Sequence, residues 1–198
     1  MPIQHLSKDL IFKPLVETII LPDLSGSTDV YLSLLESILS QQLSVKVSDI
    51  IFKRFLNLFE DKYPHPLNLI EMDAEKLRSV GLSYQKAGYI KNVAEFALKQ
   101  GIEWNTLEIM DDDDIIKYLT QIKGVGKWTV EMLLMFIMKR PDVFPSDDLG
   151  IQQAMVKLYN IEVKGKLLKI KMTNIAENWK PYRTTACRYL WKWKDSGK

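Results

Sequence analysis

Apolar residues along this chain recur at helical spacing. Val30, Leu34, Leu35 and Ile38 share one face of a helix predicted over 30–39, with Asp29 placed to cap it. Val47, Ile50, Ile51, Phe55, Leu58 and Phe59 define a second helix from about 45 to 59. The polar segment Ser40-Gln41-Gln42-Leu43-Ser44 interrupts the two. Tyr63-Pro64-His65-Pro66 reads as a loop, because each proline drives its predecessor towards extended backbone. Short helices are predicted at about 73–79 and 84–99, separated by Gly81, and Gly101 ends the second. The run Asp111 to Asp114 precedes Ile115, Ile116 and Leu119. Acids in a first turn complement the helix dipole, so this run is read as a helix start and not a metal site. Neither a period-two alternation nor a long repeat stands out. The predicted class is all-α.

Composition narrows the function classes. The chain has 198 residues, 46% hydrophobic and 26% charged, which is the balance of a folded globular protein. No stretch approaches the roughly 20 apolar residues of a membrane span, and Met1-Pro2-Ile3-Gln4-His5 has no signal-peptide character. A cytoplasmic protein without membrane contact is expected. Cys187 is the single cysteine, and His5 and His65 lie far apart, so neither a disulfide nor a zinc or iron–sulfur site is expected. Cys187 is read as buried packing.

The net charge of +2 conceals a segregation. Residues 163–198 carry ten Lys/Arg against Glu177 and Asp195, a local excess of eight that leaves the first 162 residues at −6. A basic face for an anionic partner and a solvated basic tail both account for this, and composition does not separate them.

The most informative segment is Leu119-Thr120-Gln121-Ile122-Lys123-Gly124-Val125-Gly126-Lys127-Trp128-Thr129-Val130, followed by Leu133, Leu134, Ile137 and Met138 continuing a helix. Two helices are thus joined by a tight turn holding two glycines. Glycine admits unusual dihedrals and close backbone approach. The start of the second helix offers backbone N–H groups to a phosphate. Such a grip positions DNA without reading bases. An ordinary glycine-capped turn is the plainer alternative. Some twenty residues on, Pro145-Ser146-Asp147-Asp148-Leu149-Gly150-Ile151 opens another helix with Ile151, Met155 and Leu158 on one face. One aspartate is expected to cap that helix, and the other is left to face a ligand.

These motifs resemble the helix-hairpin-helix glycosylase superfamily: a glycine hairpin between two helices, then an aspartate at the next helix start. Within it, Lys127-Trp128-Thr129, Asp147-Asp148, Trp179-Lys180-Pro181-Tyr182-Arg183 and Ile38-Leu39-Ser40-Gln41-Gln42-Leu43-Ser44 are similar to the DNA-3-methyladenine glycosylase II group, over residues 30 to 191. The resemblance implies one compact domain of two helical lobes with a cleft between them and the hairpin at about 113–139. No added N-terminal β domain is expected, since residues 1–28 are too few for one. It implies removal of alkylated purines from double-stranded DNA in base excision repair, by a monomer, near the nucleoid if bacterial.

Residue by residue, the resemblance makes Asp148 catalytic and Asp147 its neighbour, a candidate for the cap. Trp128 and Trp191 fall at base-pocket positions, although composition alone would bury each as core. Met132 and Leu149 stand where some relatives have pocket tyrosines, which leaves the damage spectrum open. Gln42 aligns with the residue that wedges into the duplex, with Leu43 as competitor. Gly124, Val125 and Gly126 would grip the DNA backbone, helped by Lys127 and Thr129. No cofactor is required; the carbonyls of Thr120, Ile122 and Val125 are expected to hold a monovalent cation, Na or K. Relatives that also cleave the strand carry a lysine where this chain has Trp128, and Lys127 points about 100° away on a helix. Base removal without strand cleavage is therefore expected. The competing readings are a DNA-binding module without catalysis, a glycosylase for oxidised or deaminated bases, and a helical protein-interaction domain.

Overall fold

A computed structural model describes residues 1–24 and 28–197. The described residues are helical and turn, with no strand among them. The helices are α1 (Pro2–Leu6), α2 (Lys13–Thr18), α3 (Val30–Ser40), α4 (Val45–Leu56), α5 (Pro66–Glu71), α6 (Ala74–Ser79) and α7 (Tyr84–Gln100). They continue as α8 (Trp104–Leu107), α9 (Asp112–Leu119), α10 (Lys127–Met132), α11 (Leu149–Tyr159), α12 (Gly165–Glu177) and α13 (Arg183–Asp195). No helix among the described residues is long and apolar enough to cross a membrane. The chain divides into two compact units, Gly26–Leu133 and Met1–Ser25 with Leu134–Lys198.

In the first of these units α7 is the central element, packing on α3, α5 and α6. Its limits are written in the sequence: Ser83 accepts from the Lys86 amide at 3.2 Å, and Gly101 ends it at φ +79°. Asp29 caps α3 by accepting from the Leu32 amide at 2.8 Å, as expected. Leu34, Leu35, Ile38 and Leu39 of α3 meet Ile90, Val93 and Ala94 of α7 in a fully buried core. The acids Asp112, Asp113 and Asp114 form the first turn of α9, again as expected. Pro66, read from the sequence as the end of a loop, instead opens α5, in whose first turn a missing N–H costs nothing; the rest of that helix lies where periodicity predicts no element.

The other unit gathers both chain ends. Phe12 is fully buried, with ring centroids 5.1 Å from Trp179 and 6.3 Å from Tyr189. Asp9 accepts from the Trp179 indole at 3.2 Å and from the Tyr159 hydroxyl at 2.5 Å. The N-terminal residues are thus part of the core here. Cys187 is buried, as read from the sequence.

One detail corrects the sequence reading and a second adds to it. The helix expected through 130–138 is not regular: α10 gives way to a π-helical turn over Leu133–Ile137. That wider turn shifts the register, so that Met135 is fully buried and Ile137 is half-exposed. Second, part of the basic tail is neutralised within the fold. Lys180 pairs with Glu177 at 2.8 Å, and Arg183 holds Asp142 through Nε at 2.8 Å and Nη2 at 2.9 Å. Thr184 adds bonds to the Arg140 carbonyl and the Val143 amide, so the start of α13 is fixed to residues 140–143. Lys198 lies outside the described residues. The motif Trp179 to Arg183 therefore serves packing. Arg183→Met, which strands the Asp142 carboxylate, is expected to lower stability by about 2 kcal/mol, measured as a fall in Tm.

Candidate active site

The Asp147-Asp148 pair divides its work in the opposite sense to the sequence expectation. Asp148, not Asp147, caps α11: its Oδ1 accepts from the Ile151 amide at 2.8 Å. The same oxygen accepts from the Trp191 indole Nε1 at 2.9 Å. Asp147 instead pairs with Lys169 of α12. The capping geometry decides this, since only the residue immediately before the first helical turn can reach the amide three positions on. The cap and the catalytic candidate are one residue. Its carboxylate sits at the positive end of the α11 dipole.

The structure therefore brings Asp148 and Trp191 together. Gly150 permits their contact, for a Cβ there would lie 3.0 Å from the Trp191 ring and 3.1 Å from Asp148 Oδ1. Leu149 follows directly and is 71% exposed. Phe136, which the sequence reading missed, lies against Trp191 with centroids 5.8 Å apart and planes 33° from parallel. Both rings line a cavity of about 250 Å³ that also takes Leu21, Pro22, Leu24 and Arg188. Arg188 donates to the Pro22 carbonyl. The signal for Phe136 was its place one turn beyond Met132, and the π turn obscured it.

Trp128 and Met132 belong to the other unit. They stand one turn apart on α10, Trp128 44% exposed and Met132 half-buried.

The hairpin is built as its glycines demand, but for different reasons at each. Gly124 has φ +106°, and a Cβ would lie 2.3 Å from the Tyr89 ring. Gly126 has φ −94° and is the N-cap of α10, and a Cβ there would meet nothing within 4 Å. Intramolecular packing does not ask for glycine at 126, and the space beside its backbone is open. Ile122 and Val125 are buried and pin the turn, with Val125 N–H donating to the Ile122 carbonyl at 3.0 Å. From α7, Asn92 donates to the Lys123 carbonyl at 3.0 Å. The α10 ladder begins with Val130 N–H to the Gly126 carbonyl, so the amides of Lys127, Trp128 and Thr129 precede it.

One expected contact needs correction. Thr129 is 4% exposed, on the inward face with Val130, so its hydroxyl is not offered to a DNA backbone. Lys127 is half-exposed and pairs with the buried Glu131 at 3.3 Å. At the other end of the hairpin, Thr120 is the C-cap of α9, which puts its carbonyl at the negative end of that helix.

Gln42 and Leu43 sit in the turn between α3 and α4. Gln42 is exposed and left-handed, φ +60°, a conformation that costs a non-glycine residue about 1 kcal/mol. Leu43 N–H donates to the Ser40 carbonyl at 3.1 Å.

Comparison with known proteins agrees in family. Residues 35–181 match the model of the HhH-GPD superfamily base excision DNA repair protein. The chain is 37% identical over 165 residues to DNA-3-methyladenine glycosylase 1 of Schizosaccharomyces pombe, covering 82% of this chain and 71% of that protein. It is 32% identical to the putative DNA-3-methyladenine glycosylase YfjP of Bacillus subtilis, of whose length it spans 58%. The fold superposes with TM-score 0.84 on a Schizosaccharomyces pombe 3-methyladenine DNA glycosylase in complex with abasic DNA, at 34% identity, covering 96% of this chain and 95% of that one.

Proposed function

Since the chain belongs to the HhH-GPD superfamily of base excision DNA repair proteins, we infer that it is a DNA glycosylase releasing alkylated purines. The substrates are bases of the 3-methyladenine and 7-methylguanine kind in duplex DNA, and the product is an abasic site. The observation that carries this reading is Asp148: a carboxylate at a helix start, held by the indole of Trp191, whose ring lines a cavity together with Phe136. A protein that only holds DNA has no use for a carboxylate opposite a polyanion.

Breaking the N-glycosidic bond builds positive charge on the deoxyribose. A fixed, ionised carboxylate stabilises that charge where it develops and can orient the attacking water. Alkylation at N3 or N7 makes the base cationic and a good leaving group, so the mechanism needs no separate general acid. The target must leave the duplex stack to be reached. Electron-rich aromatic faces attract a cationic base, and Trp191 with Phe136 supplies them beside Asp148; Trp128 offers a further exposed indole on α10. Gln42, with Leu43 beside it, fills the space vacated in the duplex. The hairpin from Gly124 to Lys127 grips the backbone through its amides. The carbonyls of Thr120, Ile122 and Val125 suit a bound Na or K ion, whose charge would draw a phosphate to the turn. Trp128 cannot form a Schiff base, so the strand stays intact. The protein works as a monomer.

Trp191→Phe keeps an aromatic face but loses the wider indole and its donor to Asp148. It is expected to slow excision about tenfold, the worth of one hydrogen bond to a charged group, with duplex affinity unchanged. The reading as a whole is tested by release of free bases from a panel of duplexes. Methylated purines are expected in the supernatant, and oxidised or deaminated bases are not. Release of 8-oxoguanine or uracil in their place would move the protein to another substrate class, and release of nothing would leave a DNA-binding module.

A further inference from the structure

Helix α3 leaves its last turn without the usual means of ending. It has no basic residue there and no glycine beyond it; Gln41 follows at φ −50° and ψ 131°, then the left-handed Gln42. Carbonyls at a helix end need donors. Lys86 supplies them: its Nζ donates to the Leu39 carbonyl at 2.7 Å and to the Gln41 carbonyl at 2.8 Å. This lysine is in the first turn of its own helix, α7, where a cation is disfavoured by the dipole. Burial also pulls its ammonium below the ordinary lysine range. Neither cost has a purpose within α7. Both make sense at the negative end of α3, one residue before Gln42.

The same face of α7 carries two further contacts. Tyr89, a turn further on, packs under Gly124, and Asn92 holds the Lys123 carbonyl. Lys86 and Asn92 are separated by about 9 Å of helix. One rigid element thus touches both the Gln42 turn and the hairpin.

We propose that Lys86 is a positioning residue that holds the Gln42 turn in its strained shape, and that α7 sets the spacing between that turn and the hairpin. Its effect is on extruding the damaged base, not on the chemistry at Asp148. The inference rests on the reading of the Gln42-Leu43 turn as the part that fills the vacated duplex position.

The experiment compares wild type, Lys86→Met, Lys86→Arg, Gln42→Ala and the Lys86→Met/Gln42→Ala double variant. Each is mixed with a duplex carrying 7-methylguanine beside 2-aminopurine, whose fluorescence rises as the neighbour unstacks. Lys86→Met is expected to slow the rise by between about tenfold and a hundredfold, the cost of misplacing a group by roughly an ångström. The double variant is expected to be no slower than the slower single, Lys86→Arg to recover most of the rate, and affinity for undamaged duplex to hold. Normal unstacking in Lys86→Met beside slow unstacking in Gln42→Ala overturns the inference and leaves the wedge reading standing. Normal unstacking in Gln42→Ala with slow Lys86→Met moves the wedge to Leu43 of the same turn and upholds Lys86 as the residue that positions it. Additive losses in the double variant, or equal loss of affinity for undamaged duplex, show that Lys86 acts elsewhere and overturn it too.

Discussion

Asp148→Asn is expected to lower base release by at least about a hundredfold while leaving a folded protein that binds duplex as well as before or better. The separation follows from the two jobs this residue does. As a cap, asparagine serves about as well as aspartate, because its amide oxygen can still accept from the Ile151 amide. As an electrostatic partner for a cationic sugar, a neutral amide is a poor substitute. Removing a negative charge near phosphates cannot weaken their binding by repulsion. Single-turnover release of 7-methylguanine, with affinity for undamaged duplex and Tm measured on the same preparations, checks all three. A variant that loses Tm in proportion to rate would show that Asp148 is a cap and no more.

The second large effect is expected at the hairpin. Gly124→Ala places a methyl group 2.3 Å from the Tyr89 ring at a φ of +106° that L residues rarely adopt. Strain and overpacking together are expected to cost about 3 kcal/mol or more, visible in urea denaturation as a lower midpoint at unchanged slope. Gly126→Ala is the internal comparison. Its new methyl group meets nothing within 4 Å, so stability is expected to hold while duplex affinity falls. If both variants lose stability equally, the two glycines share one structural role and the open face at Gly126 is not a DNA contact.

How far the sequence could be read depended on where the determining contacts lie. Local signals were dependable: Asp29 as a cap, the acids at the start of α9, and Gly101 as a terminator all depend on residues within one turn. Helix α12 was not legible, since only a narrow stripe through Leu168, Met172 and Ala176 is buried while Leu167 and Ile170 face outward. Its pattern therefore carries little amphipathic contrast. That one of Asp147 and Asp148 faces a ligand was legible from their setting, and the family resemblance singled out Asp148; its second role as the cap was not legible. That role depends on which of two adjacent acids immediately precedes α11, and the pairing of Asp147 with Lys169 reaches across to another helix. Thr129 was misread for a similar reason: position in the hairpin suggested a contact, and burial removes its hydroxyl from the surface. Lys86 gave no signal, because a lysine at the start of a helix acquires meaning only once the end of α3 is placed against it.

The central claim is hydrolysis of a glycosidic bond with the strand left whole, and the mass of the product strand tests it most directly. A defined duplex carrying one 7-methylguanine is incubated with the protein and its damaged strand weighed by electrospray. The account predicts a full-length strand that has lost the base and gained the elements of water. An unchanged strand that is nonetheless bound, or a strand cut at the lesion, would contradict it.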